Sequence, residues 1–157
     1  MYLASCLLCC EVFKINQSQR LMADFLSEYH LWKRKSKQIS ADVGGVSYDG
    51  MPKAPVKKDP NGQLDAHANA KNECWKRQVI VDNLRDVGDQ YAMLADILSW
   101  RYLHEYSQRK CMRLLTEHYG WDMSDKTFRL KQEAALDQAL EIIPHRWLSE
   151  WQPLEEK

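Results

Sequence analysis

The sequence predicts an all-α fold. Apolar residues recur at three- and four-residue spacing in several segments, and no segment alternates apolar with polar in the manner of a strand. Serine and glycine punctuate those segments where helices start and stop. Four of the six glycines and three of the five prolines fall within residues 41–63, so the helix-breaking residues are gathered in one place.

The elements follow in order. Residues 1–22 are expected to be a disordered extension, or the product of a start upstream of a true one at Met22, because periodic sequence begins just after Met22. Residues 23–40 form a basic N-terminal helix, with Phe25, Leu26, Tyr29 and Trp32 on one stripe. Lys33, Arg34, Lys35 and Lys37 load its last turn, where positive charge suits the dipole. Residues 41–63 are a flexible Gly/Pro linker, too polar and broken to be core. A helical bundle over 64–143 comes next. Its first helix runs from Leu64 to about Val87 and ends at Gly88. Asp89 caps a second, with Leu94, Ile97, Leu98 and Tyr102 inward. Ser107 caps a third, which Gly120 ends. Ser124 caps a fourth, which Pro144 stops. Residues 144–157 are an acidic, aromatic tail in which Trp147 and Trp151 either pack back or dock a partner. Trp75, Trp100 and Trp121 are expected in or at the edge of the core.

Charge is balanced overall, 22 basic against 22 acidic, over 157 residues. A neutral chain has no general attraction for polyanions, so a nucleic-acid role must rest on local charge. Local charge is present. Residues 101–131 carry seven basic and four acidic side chains, and residues 32–58 carry seven basic and two acidic. From Gln132 onward the balance is six acidic to two basic.

Other classes find little footing. Cys6, Cys9 and Cys10 cluster without a fourth ligand at zinc spacing, and Cys74 and Cys111 stand alone in helical patterns as free thiols. No metal or other cofactor is expected. The odd cysteine count points to a reducing cytoplasm. The apolar start, Met1 to Cys10, is too short for a bilayer span, so no membrane partner is expected. The five histidines are scattered, and no phosphate-loop, nucleophile-elbow or zinc-protease motif occurs. The chain does not read as an enzyme.

Two successive serine-capped helices joined through a glycine turn, over residues 107–140, are the pattern of a helix-turn-helix. On the second helix, Phe128, Ala135 and Leu136 face inward, while Asp125, Lys126, Arg129 and Gln132 are assigned to the opposite face. Lys126 and Arg129 project together. Arginine can pair with guanine O6 and N7, glutamine with adenine, and lysine with phosphate or base. Ser107, Arg109 and Lys110 on the preceding helix suit the DNA backbone, as do Ser124 and its cap.

These residues carry a resemblance. Ile97-Leu98, Arg101-Tyr102-Leu103, Ser107, the run Ser124 to Lys131 and Ala135-Leu136 resemble region four of bacterial sigma factors. They look more closely like the phage ArpU and RinA family of transcriptional regulators, whose capped helix carries serine, threonine, an aromatic residue, then arginine and lysine. Tyr29 with the Trp32-to-Lys35 run, and Asp49 to Pro55, match that family's basic helix and its glycine-methionine-proline connector. The similarity spans roughly Ala23 to Ile143. One departure is the approach from Leu115 to Ser124, which is several residues longer than the family's compact turn.

The resemblance implies a sequence-specific, double-stranded-DNA-binding regulator of phage late genes. The implied interface is Ser107, Arg109, Lys110, Ser124, Lys126, Thr127, Arg129, Lys131 and Gln132. Lys33, Arg34, Lys35 and Lys37 supply phosphate contacts or touch RNA polymerase. The alternative is a sigma-like module that docks on RNA polymerase or another host factor without reading DNA. Monomer and homo-oligomer both remain open.

Overall fold

The structure, a computed structural model, describes residues 16–43 and 60–154. It is all-α: no strand occurs among the described residues. Among the described residues seven α-helices follow one another as α1 (Gln17–Ser27), α2 (Tyr29–Val43), α3 (Pro60–Asp86), α4 (Asp89–Leu98), α5 (Gln108–Tyr119), α6 (Asp125–Ile142) and α7 (His145–Ser149). A π-helical segment, Ser99–Leu103, continues α4.

Helix α1 corrects the expectation that residues 1–22 are an extension. Residues 17–22 are helical, and Met22 is fully buried beside Phe25 and Leu26. The local cause is a reciprocal cap: the Asn16 side chain accepts from the Ser18 N–H, and the Asn16 N–H donates to Gln19 Oε1 at 3.1 Å. Gln19 also donates to Asp137 of α6 at 2.8 Å. Residues 1–15, with the three clustered cysteines, lie outside the described residues.

The single helix expected over 23–40 is two helices. Glu28 breaks it: its N–H closes back on Leu26 O, while its carbonyl accepts from Trp32 to start α2. Because α2 continues to Val43, Lys33 to Lys37 sit mid-helix and gain nothing from the helix end. The linker is likewise shorter than 41–63, since residues 41–43 and 60–63 are helical. Pro60 suits the first position of α3, where its missing N–H has no partner to lose. The glycine-methionine-proline run lies outside the described residues.

The core gathers around α4, whose Ala95, Ile97 and Leu98 are wholly buried. Helices α3 and α6 pack on it, α1 packs on α6, and α2 lies along α3. Cys111 and Leu115 of α5 and Phe128, Ala135 and Ala139 of α6 complete the cluster. Trp100 sits half-buried at its edge, but Trp75 and Trp121 are more than half exposed, which corrects their placement in the core. Asp89 is the first residue of α4 rather than its cap; Gly88 holds the cap position with no side-chain bond.

The tail packs back. Trp151 meets the Phe25 ring edge-on at 5.8 Å, and Trp147 meets Trp75 at 5.9 Å. Beneath Trp151 lies a polar cluster around Arg77, which has no exposed surface. Its guanidinium donates to Glu28, Glu73 and the Phe25 carbonyl, at 2.8, 2.8 and 2.6 Å, and lies 4.1 Å from the Phe25 ring centre. Glu28 accepts besides from Trp151 Nε1 at 2.9 Å and from the Leu154 N–H at 2.7 Å. No helix among the described residues is long and apolar enough to cross a membrane.

Candidate nucleic-acid interface

Serine has a short oxygen that can reach back to free N–H groups at the start of a helix. Ser107 does so for α5, accepting from the Lys110 N–H at 3.3 Å. Ser124 does so for α6, accepting from the Thr127 N–H at 3.2 Å, and its hydroxyl also lies 3.0 Å from that of Thr127. Gly120 ends α5 in the left-handed conformation, φ +67°, which most side chains avoid.

The segment 120–124 then returns along α5. Thr116 Oγ1 lies 3.1 Å from the Trp121 carbonyl, and Met123 is buried below it. As a result the two helices begin side by side: Gln108 Nε2, in the first residue of α5, donates to Asp125 Oδ1, in the first residue of α6, at 3.2 Å. One side-chain bridge thus ties the two capped helix starts together. The extra residues between Leu115 and Ser124 are the length this return needs.

Asp96 of α4 fixes the other end of α5. It accepts from Tyr119 Oη at 2.5 Å and from Arg85 of α3 at 2.6 Å. Burial and the bond to the Asp96 carboxylate push the Tyr119 phenol up to about 12, so it stays a donor throughout the neutral range.

Around the paired N-termini the charge is basic. Arg109, Lys126 and Arg129 are exposed and form no ion pair among the described residues. Thr127 is exposed beside them. Lys110 lies over the Tyr106 ring at 3.3 Å, and the half-buried Lys131 lies 5.7 Å from the Trp121 ring centre.

Gln132 is different. It is half-buried and donates to Tyr102 Oη at 2.6 Å, so it does not share the exposed face of Lys126 and Arg129. The reason is helical geometry: position 132 is four residues from the buried Phe128 and lies above it on the same side. Lys33, Arg34, Lys35 and Lys37 are exposed on α2, a helix that packs mainly on α3, so they form a separate basic patch. Lys35 lies over Trp32 at 4.8 Å and Lys33 over Tyr29 at 5.4 Å.

Two groups of residues were missed by pattern alone. Glu73 and Arg77, four apart on a helix, are a pairing signal, but nothing in the sequence ties them to Glu28. The π segment Ser99–Leu103 reads as ordinary helix, so the sequence does not announce its change of pitch. Compared with protein-family models, with curated proteins and with solved structures, the chain matches none.

Proposed function

We propose that this protein is a sequence-specific DNA-binding regulator of transcription, with α6 as the helix that enters the major groove. The observation that carries the reading is the Gln108–Asp125 bridge between two serine-capped helix starts, with the exposed cations Arg109, Lys126 and Arg129 on those same helices. Free N–H groups and the positive ends of two helices favour phosphate, and the flanking cations add to this. In this mode Arg129 and Lys126 meet base edges. Ser107, Arg109, Lys110, Ser124 and Thr127 hold the backbone, and Lys131 lies at the margin. Gln132, engaged with Tyr102, is left out of the base-reading set. The resemblance to the ArpU and RinA family supports the same reading and suggests phage late genes as the target.

A second reading, docking on RNA polymerase or another host factor without reading DNA, is favoured by two exposed apolar side chains. Trp121 and Leu130 are 52% and 49% exposed, one in the turn and one on α6.

Selection of bound sequences from random duplex DNA, followed by a gel shift on the selected site, separates the two. The Lys126→Ala/Arg129→Ala variant should bind that site at least about tenfold more weakly, since each good base contact is worth about 1–3 kcal/mol. Unchanged binding by the folded double variant would remove α6 from the role. Failure to enrich any sequence would leave the docking mode as the better reading.

A further inference from the structure

At the seam of α1, the π segment and α6 lies a cleft of about 380 Å³, lined by Ser27, Arg101, Tyr102, Glu105 and Gln132. Its size falls at the low end for small-molecule sites, about 300–1,000 Å³.

Several features converge there. The π segment, a geometry concentrated at functional sites, sets Arg101 and Tyr102 on the cleft wall. Arg101 is half-buried. One of its nitrogens donates to the Tyr106 carbonyl at 3.0 Å, and it forms no ion pair among the described residues. Glu105 holds φ +55°, and it is the one non-glycine residue with positive φ among the described residues. Its carboxylate lies 3.2 Å from His30 Nδ1, yet that buried nitrogen has no hydrogen-bond partner. In the same lining, Tyr102 Oη already accepts from Gln132, which leaves the phenolic proton and the amide oxygen of Gln132 without a described partner.

A guanidinium and a carboxylate thus line one small cleft without neutralising each other, and a donor and an acceptor share its lining. We propose that this cleft binds a small zwitterion of the α-amino-acid class. The ligand carboxylate meets the Arg101 fork and its ammonium meets Glu105. The proposal stands independently of any role in DNA binding.

Calorimetric titration of the full chain with the standard L-amino acids tests it, with propionate and propylamine as half-ligands. At least one amino acid should bind saturably in the millimolar range or tighter, and each half-ligand about tenfold more weakly or worse. Arg101→Gln should weaken that amino acid by about tenfold or more, the scale of a lost charged hydrogen bond. Arg113→Gln, an equal charge change at an exposed position of α5, should leave it unchanged. Arg101→Gln also loses its bond to Tyr106, so Glu105→Gln provides a second decision. That variant must lose the preference for the amino acid over propionate. No saturable heat with any amino acid at millimolar concentration overturns the proposal, and so does wild-type selectivity in Glu105→Gln.

Discussion

Arg77 is a cation entirely out of water, and what it touches decides whether that is tolerable. Two carboxylates, two carbonyls and one aromatic face meet it, so four of its five N–H hydrogens have an acceptor and a ring covers the guanidinium face. Removing one member of a buried ion pair leaves the other charged and unpaired, at a cost of about 3–5 kcal/mol. Arg77→Ala should therefore lower the unfolding free energy by an amount of that order, read as a lower midpoint in urea melts. The same cluster sets a pH dependence. Burial alone would raise the Glu73 carboxyl, but hydrogen bonds and charge from Lys76 and Arg77 outweigh it and hold the group below its ordinary range. A carboxylate depressed on folding stabilises the fold above its unfolded value, about 4.3, and that contribution is lost as pH falls through the lower folded value. Urea midpoints taken from pH 6 downward should show this acid loss in the native chain. The loss should be smaller in Arg77→Ala, where one source of the depression is gone.

Between elements, the decisive contacts are short and polar. Ser107 and Ser124 each hold one N–H at a helix start, and Gly120 holds the turn between those helices. A Cβ at Gly120 would meet nothing within 4 Å, so its cost is backbone strain alone. Gly120→Ala should destabilise by about 1–2 kcal/mol, the scale of a left-handed side-chain residue. Ser124→Ala should cost about 1 kcal/mol. Thermal melts followed by circular dichroism check both, and a neutral result at Gly120 would mean that the turn relaxes.

These elements were legible in the sequence because caps and glycine stops act locally. A serine before an apolar stripe needs no distant residue to do its work. Glu28 shows the limit. Its partners lie 49, 123 and 126 positions away, and a stripe running through it reads as one continuous helix. Gln132 shows another limit: a polar residue on the buried side of a helix is identified as such only when the hydroxyl it meets is known. At the candidate interface, the caps and the Lys126–Arg129 pair were readable, while the side-by-side placement of the two helix starts was not.

The molecule as a whole has no net charge to draw it to a polyanion. Attraction to DNA must come from the basic face alone, and it is therefore short-ranged and sensitive to salt. For the proposed DNA complex, the logarithm of affinity should fall with the logarithm of salt concentration by about 0.9 for each phosphate neutralised. Arg109→Ala should reduce that slope by about one and leave the preferred sequence unchanged. A slope near zero in the native protein would place the binding outside phosphate recognition altogether.

The contact between Glu28 and residues 151–154 also sets an order in time. A ribosome adds about 5–20 residues per second, so roughly 6–25 s separate the synthesis of Glu28 from that of its last partner, Leu154, 126 positions on. Once Arg77 has been made, 49 positions after Glu28, both charges are present, while the indole and the N–H that cover the carboxylate are not yet made. The bundle can collapse early, but its polar seal can close only when the tail arrives.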